Sequence, residues 1–510
     1  MKIAVVVQRY GADINGGAEL HARYIAEHLA RHAAVEVLTT CATDYITWRN
    51  ALPPGEEMVH GVKVRRFPVA QEREPDTFGK LSQRVFTKRH SLRQELAWLE
   101  AEGPASPALI SFIRDHEHSF DFFIFFSFRY YHAYHGVRAV APKALLVPTA
   151  ERDGALGLGI FAPVFRSVRG LMYNSLEERA LIQTISGNHD VPGVVVGIGS
   201  DIPDHRDAAR FRQKFNIHDR FAIFIGRIDE NKGCRELFNY FLRYLNIVSG
   251  GVHLVLIGKP VIPIPQHPRI HHLGFVGDQD KFDALAAAEL LIMPSYFESL
   301  SMVALEAWAL GKPVLANGRC DVLKGQCIRS NGGLYYENFQ EFLETLRMID
   351  FSPSFASSLG RNGQEYFARH YSWPVIEGKY LDMLERLSRE PQQRPIDRGP
   401  GWFGRLFRSH PPADEVVAAL PTGPSSDDES RSPATVSPSS DRSGAGIPVA
   451  NQVSSRPSPS GPRGTEQRPT YRPQPQVSRH DRRSTRPGSR GPHAQRRRPN
   501  NRPRRRSGNR

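Results

Sequence analysis

Pro294-Ser295-Tyr296-Phe297-Glu298-Ser299-Leu300-Ser301-Met302-Val303-Ala304-Leu305-Glu306-Ala307-Trp308-Ala309-Leu310-Gly311-Lys312-Pro313-Val314 is the stretch on which the fold turns. An apolar strand over residues 290–294 runs into it, an apolar helix fills 302–310, and a further strand follows over 313–316. Strand, helix and strand in that order make one step of a parallel sheet covered by helices. Two carboxylates, Glu298 and Glu306, stand eight residues apart at the head of the helix. If the residues between them are helical, a rise of about 1.5 Å per residue parts them by roughly 12 Å.

The same alternation extends in both directions. Upstream lie strands at 221–226, 253–258 and 270–275, with helices at 234–246 and 280–288. An earlier set has strands at 3–7, 35–39, 122–126 and 144–148 and a helix at 18–31. The turn-rich segment 197–207 separates the two sets and predicts a hinge near residue 200. The fold class is therefore α/β, with two Rossmann-like parallel-sheet domains over 1–199 and 200–372. The segment 86–120 reads as a helical, charged insertion beside the first sheet. Residues 373–387 form one more amphipathic helix, with Tyr380, Met383, Leu384 and Leu387 at core spacing. The expectation is that residues 373–390 pack on the second domain or cross back to the first.

From residue 391 the composition changes to Pro, Ser, Gly and Arg, too poor in apolar side chains to offset the entropy of ordering, which predicts disorder over 391–510. The formal charge of the 510-residue chain is +14. Residues 391–510 hold 23 Arg, no Lys and nine acidic residues, so they carry that excess and the folded part is neutral. Such a tail attracts an anionic membrane or polymer, and less readily nucleic acid, since it lacks the aromatics that stack on bases. Its one aromatic-basic island is 401–408. The four cysteines, Cys41, Cys234, Cys320 and Cys327, fit neither a disulfide framework nor the usual zinc spacings. With no apolar run long enough to span a bilayer, a cytoplasmic protein, peripheral at most to a membrane, is expected.

Three motifs carry chemistry. The first is the opening stretch, which resembles the E-x7-E signature of retaining glycosyltransferases of the large GT-B family 4, including its P-S-x-x-E and E-A-x-A-x-G-x-P-V flanks. The resemblance implies a GT-B architecture, an acceptor side in the first domain, a nucleoside-diphosphate sugar bound by the second, and transfer of a hexose-type sugar with retained configuration. It implies that Glu298 holds the donor sugar's hydroxyls and Glu306 those of the ribose, as charge-assisted acceptors, with Ser299 and Leu300 at the donor. The diphosphate would rest near the helix N-terminus.

The second motif, 221–233, is a buried strand ending in Gly226-Arg227-Ile228-Asp229-Glu230-Asn231-Lys232-Gly233. It resembles the family's G-R-x-x-x-x-K-G segment, in which Arg227 and Lys232 would neutralise the diphosphate; preorganised cations there act on the transition state, when the leaving group gathers charge. The third is the loop leading to Gly16-Gly17-Ala18-Glu19, which resembles the family's G-G-x-E loop facing the donor. Its adjacent glycines let backbone N–H groups approach a phosphate, and no G-x-G-x-x-G is present. Gly258 and Phe275 resemble the strand ends that receive the nucleobase. The only D-x-D letters in the folded part, Asp278-Gln279-Asp280, read as a helix cap, so no metal and no further cofactor is expected.

One position departs from the family pattern. Many relatives have a His at the end of a first-domain strand, where this chain continues 145–148 as Thr149-Ala150-Glu151-Arg152-Asp153. Glu151 is one candidate for that place; His132 or His135, approaching from a neighbouring strand, is another. The departure keeps open a catalytically silent nucleotide-sugar-binding protein, and the shared architecture keeps open a nucleotide-sugar epimerase or a phosphorylase. The acceptor would be a glycan, a lipid-linked saccharide or another compound.

Overall fold

A computed structural model describes residues 1–14, 16–391 and 406–425 of the chain. Its strands, in chain order, are β1 (Lys2–Val6), β2 (Ala34–Thr40), β3 (Gly55–Val59), β4 (Val62–Phe67), β5 (His90–Ser91), β6 (Phe122–Phe126), β7 (Ala144–Val147), β8 (Gly170–Tyr173) and β9 (Gly193–Val195). They continue with β10 (Phe221–Ile225), β11 (His253–Ile257), β12 (Ile270–His272), β13 (Leu290–Met293), β14 (Val314–Asn317), β15 (Gly333–Tyr336) and β16 (Ser409–His410). Eight strands form a first sheet in the order β3-β4-β2-β1-β6-β7-β8-β9, and six form a second in the order β12-β11-β10-β13-β14-β15. Every pair in the second sheet is parallel; in the first, only the edge hairpin β3–β4 is antiparallel.

The central strands are continuous apolar runs because both faces are covered. β6, Phe-Phe-Ile-Phe-Phe, and β10, Phe-Ala-Ile-Phe-Ile, are buried at every residue. In both sheets the order reverses beside the first strand of the set, between β1 and β6 and between β10 and β13. In open parallel sheets, the crevice at such a switch point beyond the strands' carboxyl ends is where ligands bind. The loops after β1, β7, β10 and β13 hold Gly16, Glu151, Gly226, Arg227, Lys232, Glu298, Ser299 and Leu300.

The helix Trp373–Arg389 crosses back to the first sheet. Tyr380, Met383, Leu384 and Leu387 are buried in one cluster with Met172 of β8. Arg169 donates to the carbonyls of Leu387, Glu390 and Pro391 at 2.6–2.7 Å. At the other end Trp373 stacks on His28, with ring centroids 3.4 Å apart, and Glu377 bonds His28 and His32 of the helix Gly17–Leu29 at 2.5 and 2.9 Å. Within 86–120 the insertion holds the helices Leu92–Glu102 and Pro107–Asp115 and the short strand β5, and it follows directly on the helix Pro75–Thr87.

The disorder expected from residue 391 onward does not hold for 406–425. There β16 pairs antiparallel with β5, and the helix Ala413–Ala418 buries Ala413 and Val417, with Leu420 just beyond it. Overall composition hid a short apolar repeat at helical spacing, Ala413, Val417 and Leu420, that finds a matching face on the first domain. The Gly401–Arg405 part of the aromatic-basic island, and the rest of the arginine-rich tail, lie outside the described residues.

Candidate functional site

The E-x7-E stretch is not one helix. Residues 294–301 are loop, and the helix is Met302–Ala309, started by Ser301, whose hydroxyl accepts from the Ala304 amide at 3.3 Å. The roughly 12 Å helical separation therefore does not apply. Glu298 is instead drawn out of helical register by Lys232, whose ammonium meets its Oε1 at 2.6 Å. Glu306 lies inside the helix at 1% exposure. Its Oε1 accepts from Ser200 Oγ and Lys281 Nζ, both at 2.9 Å, while its Oε2 is buried with no partner. An orphaned carboxylate oxygen is costly inside a protein and calls for a donor from elsewhere.

The turn after β10 depends on two glycines. Gly226 has φ +153°, and Gly258, after β11, has φ +140°. A Cβ on Gly258 would stand 1.9 Å from the Gly226 carbonyl, so the two strand ends touch backbone to backbone. Gly233 (φ +68°) likewise lies against Pro294, with its Cβ position 2.0 Å from that carbonyl, which packs the Lys232 turn onto the Glu298 loop. Arg227 pairs with Asp229, and its Nη1 donates at 3.0 Å to the hydroxyl of Tyr45, a first-domain residue. Phe275 is 72% exposed. Gly277, not an aspartate, occupies the cap before the helix Asp278–Ala287; Asp278 and Asp280 lie in its first turn, and Lys214 pairs with Asp280 at 2.7 Å.

Across the seam, the helix Gly17–Leu29 begins at Gly16 with no side-chain cap. A Cβ on Gly16 would meet Glu19 Oε2 at 2.2 Å, whereas nothing lies within 4 Å of one on Gly17. Arg9 holds Glu19 with Nε–Oε1 at 2.8 Å and donates from Nη1 to Thr43 O at 2.7 Å. Asn174 Nδ2 reaches Ser299 Oγ at 3.4 Å, and Leu300 is buried in the core cluster that adjoins it.

Glu151 is the first-domain carboxylate brought to this seam. Burial pushes its pKa up to about 7; the Lys232 ammonium counters this, and the Glu298 carboxylate reinforces it. Lys232 is in turn raised: burial works against its charge, but Glu298 and then Glu151 outweigh it. The loop that carries Glu151 is tightly determined. Thr149 (φ +49°) and Ser127 (φ +66°) both adopt the left-handed conformation and are joined Oγ1 to Oγ at 2.8 Å. Beneath them Glu178 accepts the amides of Ala150 and Asn174, each at 2.5 Å. Non-glycine residues held in that conformation by their surroundings cluster at functional sites.

The histidine candidates fall elsewhere. Both stand on the helix Tyr131–Ala139, not on a strand. His132 is fully buried, with Nε2 2.9 Å from Phe126 O, and burial lowers its pKa to about 4. His135 pairs with Glu100 at 3.2 Å. Sequence reasoning missed Tyr45, Lys281, Ser200 and Asn174, because each comes from a segment without a motif and meets the site only through folding. Among the described residues no group of three or more His, Cys, Asp or Glu is arranged to hold a metal ion, and no helix is long and apolar enough to cross a membrane.

Residues 219–348, which contain the Arg227, Lys232, Glu298 and Glu306 segments, match the family model described as Glycosyl transferases group 1. Among curated proteins, the chain is 26% identical over 344 residues to the D-inositol 3-phosphate glycosyltransferase of Streptomyces scabiei, covering 59% of this chain and 71% of that protein. Among solved structures, sucrose-phosphate synthase from Thermosynechococcus elongatus aligns with 76% of this chain and 99% of its own at 16% identity and a TM-score of 0.57. HepE of Anabaena in complex with UDP-glucose aligns with 76% of this chain and 100% of its own at 17% identity and the same TM-score of 0.57. The fold is the GT-B architecture of these solved structures, and the second domain holds the stretch that matches the glycosyltransferase family model.

Proposed function

We propose that the chain transfers a sugar from a nucleoside-diphosphate sugar to a hydroxyl of a glycan or lipid-linked acceptor, with retained anomeric configuration and without a metal ion. The observation that carries this reading is the Lys232–Glu298 pair, from separate loops of the second domain, within electrostatic reach of Glu151 from the first. Glu306 receives the ribose hydroxyls on its orphaned Oε2. Arg227 and Lys232 take the diphosphate, helped by the uncapped helix start at Gly16 and Gly17. Glu298 orients the sugar. The bond between the anomeric carbon and the phosphate oxygen breaks with its electron pair going to the diphosphate, where the two cations stabilise it. The acceptor oxygen bonds to the anomeric carbon on the same face, and its proton leaves on the departing phosphate. Ionised Glu151 stabilises the positive charge that builds on the sugar. HepE's structure is a complex with UDP-glucose, which makes that compound the first probe.

The test is thermal stabilisation and slow donor hydrolysis with UDP-, GDP- and ADP-sugars in the presence of EDTA, for the wild type beside Glu298→Ala. Stabilisation by one donor, with hydrolysis abolished in the variant, supports the reading. Binding without turnover, even with acceptors supplied, would make the chain a silent nucleotide-sugar binder. Hydrolysis lost on adding EDTA would overturn metal independence.

A further inference from the structure

The segment 409–425 lies directly against the loop that carries Glu151 and spans both domains. Its start is fixed by the β5–β16 pairing and by Arg89 Nε to Ser409 Oγ at 3.2 Å. Its helix seats on the turn Gly154–Gly157, where a Cβ on Gly157 would stand 2.2 Å from the Ala413 carbonyl. Next to Glu151, Arg152 donates through Nη1 to the carbonyls of Val417 at 3.3 Å and Leu420 at 3.2 Å, and through Nη2 to that of Pro421. The same Nη2 pairs with Asp321 of the second domain at 3.1 Å, whose other oxygen accepts the Gly423 amide at 2.9 Å. The end of the segment is held by Arg329 of the second domain, at 3.1 Å to Ser425 O, and by Glu177 of the first, at 3.2 Å from Ser425 N; Arg329 and Glu177 are themselves paired at 2.6 Å.

We propose that residues 409–425 are a built-in strap that closes the end of the seam beside Glu151 and fixes Glu151 through Arg152, which makes Arg152 a positioning residue for glycosyl transfer. The inference rests on the role given to Glu151 above. Three carbonyls and one carboxylate hold the Arg152 guanidinium. Without the strap only Asp321 remains, and the guanidinium is released toward the Glu151 carboxylate one residue away, while water reaches a loop the strap had covered. Both changes favour the charged form of Glu151 and disturb its place opposite Lys232 and Glu298. Asp414, on the strap's helix, is raised to about 6 by burial and then by the Asp153 charge, as befits a segment packed tightly on the Glu151 loop.

The full-length chain carries the test. Gly157 is not in the left-handed conformation, so Gly157→Ala costs little at its own backbone and wedges against Ala413; Val417→Asp unseats the same helix by a second route if the first variant fails to fold. Arg152→Ala and Arg152→Lys accompany them. Hydrogen exchange in 409–425 and in 149–157 should quicken together by about tenfold or more in the strap variants. The midpoint of the pH profile for UDP-glucose hydrolysis should move down from near 7, and UDP affinity should stay within about twofold, because the strap's hydrogen bonds are to Arg152, Asp321, Arg329 and Glu177 and to none of the residues given to the nucleotide. Arg152→Ala should shift the same midpoint, with Arg152→Lys restoring it in part. Exchange that quickens in 409–425 but not in 149–157, or a midpoint that does not move, overturns the proposal. If the wild type binds no nucleotide sugar, the proposed function fails, and the exchange result alone decides whether the strap holds the loop.

Discussion

Replacing Glu306 by Ala tests the site where its structure is most specific. Glu306 Oε1 is occupied by Ser200 and Lys281, and only the buried Oε2 is left for a ligand. A hydrogen bond to a charged group contributes about 1.5–3 kcal/mol, and each 1.4 kcal/mol or so is tenfold in affinity. Losing the ribose contact should therefore weaken binding of UDP-glucose about ten- to a hundredfold. Part of any loss in Glu306→Ala arises from taking from the Lys281 ammonium, whose side chain is only 14% exposed, its nearer carboxylate and leaving it Asp278 at 3.6 Å. Calorimetry with the intact donor and with its 2′-deoxy and 3′-deoxy ribose analogues separates the two effects. Against the wild type, at least one analogue should bind about tenfold more weakly than the donor; against Glu306→Ala, donor and analogue should bind alike. If both analogues bind the wild type as tightly as the donor does, or if the analogue penalty persists in Glu306→Ala, the ribose assignment is refuted.

Burial holds the Glu151 pKa up near 7, so if the ionised form assists transfer, turnover falls as pH drops through that value. Glu151→Gln should be slow and lack this acid limb; an unchanged limb would assign it to another group. The sign for stability is the reverse. A carboxyl raised from its ordinary 4.5 contributes stability below that value and loses it as pH rises through about 7, and Glu178, raised to about 8 by burial, extends the trend. Thermal melts at pH 6 and pH 9 should therefore favour the lower pH where these two carboxyls dominate. Gly258→Ala combines a strained φ of +140° with a Cβ 1.9 Å from the Gly226 carbonyl. A cost of about 2 kcal/mol or more should lower Tm by about 5 °C or more, and an unchanged Tm would show that the two strand ends do not touch.

The sequence by itself determined the parts that depend on local pattern. Continuous apolar runs such as 122–126 and 221–225 dictate buried parallel strands, because no half-exposed strand tolerates them. Gly226, Gly233 and Gly258 mark turns that only glycine makes well. The segments of Arg227, Lys232, Glu298 and Glu306 were marked by their motifs, but only Lys232 and Glu298 pair with each other; Arg227 pairs with Asp229, and Glu306 with Lys281. Tertiary structure alone decided what meets across the seam. Glu298 leaves the helical register to meet Lys232, a contact between residues 66 positions apart. Tyr45 reaches Arg227 across 182 positions, and Glu151, rather than His132, comes to the charged centre. The strap over 409–425 was lost in the composition of the tail around it, since Ala413, Val417 and Leu420 are too few to form a core of their own. They are ordered only because the first domain presents a face that buries them, and the energy of burial depends on that partner surface as much as on the residues themselves.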